Sequence, residues 1–529
     1  MPNIGFTSTR DKKLKIDFWQ SIAQGVAPDG GLLVPTQLPK ISRKLISDKK
    51  FWEKSRMSDL STLLHRLFIP KSEISDFALQ KMMHKAHNFD LPLESLDKQT
   101  FILRIDTGPT ASFKDIAARS LAALLEEYCN KFKRVINIIV ATSGDTGVAI
   151  ADAFGGSSRV TVSILYPSGG VSEIQEKQML QVDEQYENIQ AIPISGNFDV
   201  CQDVSKILQG ARELVHADNK NITNFKCEIQ NKLGKKLSSA LVEKIVKIVS
   251  TLNLSSANSI NIWRLIPQMT QYFVAYKKLV EKKVIKAGDY IIFAVPSGNV
   301  GHLMAGLYAR SVGLPVKGFV IGTNSNNVLA NIIGSGTIKH HIFTKTSSPS
   351  MDILDPSNLE RLLYMAAQNV GNHATIDFST MKQDIKNNYA HDGVVSLSRY
   401  GVTQDMLRYL QNLIWAEDIE TDEEIFAMME RVGRKYRLTM EPHGTTALVA
   451  TIRARSKKAV KPEDVVVVME TAHPDKFPES LKEAHVEVAK NRKHKTLERL
   501  NKFSISKMGK KTMPVDLLKI AQKIQKIAY

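Results

Sequence analysis

The sequence predicts an α/β protein built on mostly parallel sheets covered by helices. Three observations predict it. Short apolar runs rich in β-branched residues, among them VINIIVA, IIFAVP and VVVVME, recur along the chain. Strands that read apolar throughout are buried on both faces, as in parallel sheets. Segments of helical period separate these runs, for example AARSLAALLEEY and NVGHLMAGLYARSVG, and that alternation is the signature of helices packed over a parallel sheet. The runs also end in small polar turns, ATSGDTG, VPSGNVG and METAHP, where open sheets of this kind gather ligand groups.

In order along the chain, residues 1–90 read as a mostly helical domain. SRMSDLSTLLHRLF and ISDFALQKMMHKAHNF carry apolar residues at helical spacing. TFILRI then reads as a strand, and TGPTASFKDI places Lys114 between the turn-forming Gly108-Pro109 and a helix. VINIIVA, VTVSILYP and NIQAIPI are further strands, each followed by a helical segment. The stretch from GARELV to STLN is polar and reads as an insertion or an irregular link. The rhythm resumes at SINIWRLIPQM and runs to VVVVMETAHP. This gives four parts: 1–90 helical; 91–120 with 240–480, the larger α/β domain; 121–239, a smaller inserted α/β domain; and 481–529, a basic helical segment.

A chain of 529 residues exceeds one hydrophobic core, which supports several domains. The formal net charge is +17, and 482–529 holds 13 Lys/Arg against 4 Asp/Glu, about half of the excess. That segment has few aromatics and ends in the amphipathic PVDLLKIAQKIQKIA, so it reads as a solvated subdomain and not as a nucleic-acid surface. No apolar run reaches the roughly 18 residues of a membrane helix, and the start lacks a signal-peptide core. Three cysteines without a C-x-x-C pair suit a reducing compartment. The expectation is a cytoplasmic protein with no membrane or nucleic-acid partner, monomeric or homodimeric.

Two glycine-rich turns carry chemistry. Ala141–Gly147 and Val295–Gly306 both join a strand to a helix, where backbone N–H groups and small side chains make an anion nest. Neither is followed by GKS or GKT, and neither reads G-x-G-x-x-G, which disfavours ATP, NAD and FAD. Two such turns with a lysine at a third strand–helix junction suit a phosphorylated ligand and an amine nucleophile. Pyridoxal 5'-phosphate meets that description, with Lys114 in Schiff-base linkage and the cofactor as electron sink. A zinc site is not indicated, because His443 of EPHG and His473 of TAHP lack further ligands at zinc spacing. Both read as loop-positioning or pocket residues.

GPTASFKD, ATSGDTG, YPSGGVSEIQEK, SANSIN, VPSGNVG and TAHPDKF, in this order, resemble threonine synthases. The resemblance begins near Ser8-Thr9-Arg10 and runs to about residue 480. It implies pyridoxal-phosphate fold type II, the tryptophan-synthase-β-like architecture, with an N-terminal helical domain. It further implies conversion of O-phospho-L-homoserine and water to L-threonine and phosphate, by a carbon–oxygen lyase acting on phosphate. By the same resemblance Lys114 is the Schiff-base and catalytic residue. Ser297, Gly298, Asn299, Val300 and Gly301 cradle the cofactor phosphate, Asp145 faces its phenolic oxygen, and Thr471 faces its pyridine nitrogen. Thr142, Ser143 and Thr146 lie near the substrate carboxylate. Ser259, Asn261, Arg264 and Lys177 are candidates for the substrate phosphate, Arg264 for its fork of donors.

The sequence departs from the family pattern before the lysine. Asp106 and Thr107 stand where an aromatic residue and a histidine are usual, and Ile116-Ala117-Ala118 follow Asp115. The EPHG segment continues as Thr445-Thr446, more polar than usual. A phospholyase of the same fold, releasing phosphate and a 2-oxo acid, is the alternative activity. A non-catalytic basic binding protein is the other, and the presence of Lys114 argues against it.

Overall fold

The computed structural model describes residues 4–211, 214, 219–339, 343–371, 376–388, 393–500 and 512–528. It divides into two compact units. The first comprises 1–21, 26–117 and 259–494, and the second 22–25, 118–258 and 495–529.

The first unit is organised by a six-stranded sheet. Its order is Ile414–Asp418, Val316–Thr323, Ile291–Pro296, Val466–Glu470, Thr100–Arg104 and Leu93–Ser95. The first five strands are parallel, and Leu93–Ser95 is an antiparallel edge. The expected runs IIFAVP and VVVME are buried at every position, as strands covered on both faces must be. Register fixes where their ends lie. Glu470 pairs with Arg104, and Val468 pairs with Ala294. The chain therefore leaves Arg104, Pro296 and Glu470 at one edge of the sheet, the edge where ligands bind in such folds. Helix Pro442–Ser456 lies against the strands. Its Ala447 and Ala450 share a core with Ile102, Ile292, Val320 and Val468. Gly322 permits the approach, since a Cβ there would meet the Thr446 carbonyl oxygen at 2.6 Å.

The helical N-terminal segment includes Met57–Arg66 and Asp76–Ala86, opened by a short antiparallel pair, Phe6–Ser8 with Leu33–Pro35. Apart from 22–25, it falls in the first unit and not in a separate one. Trp52 shows why: it is fully buried and packs its ring on Phe273 and Tyr276.

The second unit holds a four-stranded parallel sheet in the order Ile189–Ile194, Val160–Pro167, Ile136–Ala141 and Leu254–Ser256. The polar stretch read as an irregular link is helical, Asn219–Leu233 and Ser239–Ser250. Val242, Ile245 and Val249 give the second helix one apolar face, which packs with Leu517, Ile520 and Ile524 of the terminal helix Leu517–Lys526. Residues 240–258 accordingly fall in this unit and not with the larger sheet, and the basic C-terminal segment divides at Lys495.

Candidate functional site

Two of the loops at the edge of the larger sheet are tied together through their main chains. After strand Thr100–Arg104, the chain turns through Gly108 toward Lys114, the first residue of helix Lys114–Phe132. The Ile105 N–H donates to the Glu470 carbonyl, the Phe113 N–H to the Thr471 carbonyl, and the His473 N–H to the Ala111 carbonyl. Ser112 and Ala472 form an isolated bridge. The turn is also held from the helix side. Asp115 accepts from both the N–H and the hydroxyl of Thr110. Position 108 must be glycine, because a Cβ would come within 2.4 Å of the Asp115 carboxylate. Ala111 sits at φ 58°, an unusual backbone for a residue with a side chain.

Asp106, one of the departures from the family pattern, is fully buried and pairs with Arg104 through two bonds of 3.0 and 2.6 Å. The bidentate pair satisfies both charges away from water. Lys114 is half-buried, with its Nζ 5.3 Å from the Phe113 ring centroid.

The second loop, Ser297–Gly301, leaves strand Ile291–Pro296 and starts helix Gly301–Val312. The Ser297 N–H donates to the Gly322 carbonyl. Gly298 abuts another segment, where a Cβ would lie 2.9 Å from the Met351 Cα and 3.1 Å from the Ser350 oxygen. Asn299 accepts from the Ser357 hydroxyl at 3.0 Å, and Ser357 in turn lies 3.2 Å from the Ser259 hydroxyl. Val300 has φ 63°. A β-branched residue in the left-handed region is strained. Buried here are the Ser297 hydroxyl and both nitrogens of His302, which lack hydrogen-bond partners among the described residues.

The third element is a carboxylate hub. Glu441 caps helix Pro442–Ser456 and is fully buried. Its Oε1 accepts from the Gly444 N–H at 2.8 Å and the Thr471 hydroxyl at 3.0 Å. Its Oε2 accepts from the His443 N–H at 2.7 Å and from His443 Nδ1. The tautomer follows, because His443 Nε2 accepts from the Ser350 N–H at 3.2 Å and the ring proton must be on Nδ1. Ser350 belongs to the segment that backs Gly298, so Glu441 links Thr471 to the rear of the second loop. Glu470 donates no charge to this hub. Burial and the neighbouring Glu441 hold its carboxyl well above the usual carboxylate range. Its Oε1 accepts from the Glu441 N–H at 2.7 Å. His473 has both ring nitrogens on main-chain groups, the Arg492 carbonyl and the Asp475 N–H.

The first unit thus contains Lys114, Ser297–Gly301, Thr471, Ser259, Asn261 and Arg264. Asn261 caps the short helix Ile262–Leu265, accepting from the Trp263 N–H at 2.9 Å. Arg264 is buried, and desolvation lowers its pKa to about 10. The second unit contains Thr142, Ser143, Asp145, Thr146 and Lys177. There Thr142 Oγ1 accepts from the N–H groups of Gly144 and Gly147, both at 2.9 Å, and so shapes the loop. Asp145 is buried and accepts from Gln175 Nε2 at 2.9 Å. Lys177 pairs with Glu173 one helical turn away. SANSIN is divided: Ser256–Asn258 lies in the second unit, and Ser259–Asn261 in the first. Sequence reasoning passed over His302, Glu441 and Glu470, although each adjoins a quoted motif.

This architecture, with a lysine and a glycine-rich helix start at the same edge of a parallel sheet, defines a fold type II enzyme of the tryptophan-synthase-β-like class. The comparisons narrow the class. Residues 5–87 match the family described as threonine synthase N terminus. A threonine synthase of Schizosaccharomyces pombe is 30% identical, over 90% of this chain and 88% of its own length. One of Saccharomyces cerevisiae is 29% identical over 100% of this chain and 96% of its own. The PLP-bound threonine synthase from Brucella melitensis superposes with a TM-score of 0.79 at 27% identity, covering 99% of this chain and 100% of the other. The yeast threonine synthase structure gives 0.78 at 27% identity, over 99% of each chain. The chain belongs to the threonine synthase family.

Proposed function

We propose that Lys114 is the amine through which this chain converts O-phospho-L-homoserine and water to L-threonine and phosphate, in threonine biosynthesis. The observation that carries the reading is the joining of the Lys114 turn to the Thr471 turn, beside a helix start with unsatisfied buried donors. Pyridoxal 5'-phosphate fits these residues. The Ser297 hydroxyl and the first N–H groups of helix Gly301–Val312 suit a phosphate. The cofactor, when bound, supplies the electron sink for carbanions on the substrate.

The residues divide the remaining work. Ser297, Gly298, Asn299, Val300 and Gly301 hold the cofactor phosphate. Thr471 meets the pyridine nitrogen with a hydroxyl oriented by Glu441. Asp145 faces the phenolic oxygen, and Thr142, Ser143 and Thr146 take the substrate carboxylate. Ser259, Asn261, Arg264 and Lys177 take the substrate phosphate; in support, Ser259 is hydrogen-bonded through Ser357 to Asn299. Lys114 would remove the substrate's α proton as general base. It is also the candidate to take a proton from Cβ as phosphate leaves Cγ, and to return one to Cγ before water adds at Cβ. No described helix is long and apolar enough to cross a membrane. Cys129 and Cys201 are free and buried, and burial raises both thiol pKa values, to about 11 and about 12. The reading includes a cytoplasmic enzyme, monomeric or homodimeric, acting on a small molecule.

The test is a product assay with O-phospho-L-homoserine and pyridoxal phosphate. Threonine released in step with phosphate supports the reading. Phosphate with 2-oxobutyrate and little threonine moves the chain to a phospholyase.

A further inference from the structure

His302 is the second residue of helix Gly301–Val312. Its ring stacks on Phe113, with centroids 4.9 Å apart and planes 26° from parallel, and it leans on Tyr272 at 5.3 Å. These aromatic contacts hold the ring in place. They do nothing for its nitrogens. The side chain is 7 % exposed, and neither Nδ1 nor Nε2 has a partner among the described residues. The Ser297 hydroxyl, 4 % exposed, is in the same condition at the other end of the loop. A neutral imidazole always carries one N–H donor and one lone pair. A buried donor without an acceptor is costly. Two at the ends of one strained turn mark a place built for an acceptor. Burial and the nearby Lys114 amine hold the ring pKa down to about 3, so it stays neutral at working pH.

We propose that His302 is a ligand for a phosphate monoester seated on the Ser297–Gly301 loop, donating one imidazole N–H to it beside the Ser297 hydroxyl. This rests on reading that loop as a phosphate seat. It adds a side-chain donor that no glycine-turn motif implies. An uncharged donor also adds no second positive charge beside Lys114. The tautomer is left to the ligand, since no group among the described residues engages either nitrogen. The phosphate has two sources, the cofactor or the substrate.

The experiment uses the full chain freed of cofactor, with His302→Leu and His302→Gln. If the cofactor phosphate is the ligand, His302→Leu loses roughly ten- to a hundredfold in affinity for pyridoxal phosphate. Its affinity for unphosphorylated pyridoxal stays the same, and His302→Gln, which keeps a donor, recovers most of the loss. If the substrate phosphate is the ligand, pyridoxal phosphate affinity holds. The KM for O-phospho-L-homoserine and the inhibition constant of inorganic phosphate then rise together in His302→Leu. Unchanged values in all three assays overturn the proposal. A wild-type measurement covers the case in which His302→Leu fails to fold. The ring 15N signals of His302, identified as those missing from His302→Gln, shift with pyridoxal phosphate or inorganic phosphate and not with pyridoxal. Absence of any such shift overturns the proposal. Equal wild-type affinity for pyridoxal and its phosphate, with no competition by inorganic phosphate, removes the loop reading itself and the proposal with it.

Discussion

Replacing Glu441 by Gln changes one atom and forces a choice among four donors. The carboxylate accepts from the Gly444 N–H and the Thr471 hydroxyl on Oε1, and from the His443 N–H and Nδ1–H on Oε2. An amide nitrogen in the Oε2 place faces two donors at once, and His443 cannot switch tautomer while Ser350 donates to its Nε2. The amide nitrogen therefore takes the Oε1 place. There the Thr471 hydroxyl reverses and accepts, while the buried Gly444 N–H loses its partner. One orphaned donor and the lost charge assistance to the His443 bonds cost about 2–4 kcal/mol. Urea unfolding of the full chain at neutral pH measures it, with the change read as a shift in midpoint at constant slope. The same variant carries a reversed Thr471 hydroxyl, so the absorbance of bound pyridoxal phosphate shifts. A midpoint within experimental scatter of the wild type refutes the hub as a charged acceptor of four bonds.

Three other perturbations test neighbouring claims. The pKa of Glu470 is raised on folding, so its contribution is complete below the unfolded value near 4.5 and is lost as pH climbs toward the folded value. Glu470→Gln removes that loss, and parallel pH–stability curves for variant and wild type contradict it. His65 is fully buried, donates Nδ1–H to the Ser61 carbonyl at 2.8 Å and has its pKa lowered to about 4. Its contribution is complete above pH 6.5 and is lost as pH falls through about 4. His65→Leu keeps up to about 3 kcal/mol that the wild type loses over that window, and an unchanged acid limb in thermal unfolding counts against it. Gly298→Ala sets a Cβ against the Met351 main chain at 2.9 Å, destabilising by about 1–3 kcal/mol and weakening pyridoxal phosphate binding. Calorimetry and cofactor titration both unchanged disprove the close approach.

The strands were legible because their burial is written locally. Val465–Val468 and Ile291–Val295 are apolar at every position, and no distant partner is needed to read them. The helix Ser239–Ser250 was not legible, because its apolar face finds its partners in Leu517, Ile520 and Ile524, far along the chain. At the site, the loops were legible from glycine placement, yet side-chain duties were not. Asn261 carries polar chemistry in the sequence and is a helix cap in the structure. Glu441 reads as one acid before a proline, and its role depends on donors supplied by residues 443, 444 and 471. Asp106 reads as a departure from the family pattern, and Arg104, two residues before it, absorbs its charge.

The ties between the Lys114 turn and the Thr471 turn are peptide to peptide: Phe113 to Thr471, His473 to Ala111, and Ile105 to Glu470. Such bonds are indifferent to side-chain identity. The spacing between the main chains at Phe113 and Thr471 is therefore a property of the backbone. Side chains around it are free to change, as at Asp106 and Thr107, while that spacing stays fixed. A chain with this arrangement can exchange the side chains of these two turns without rebuilding the backbone that joins them.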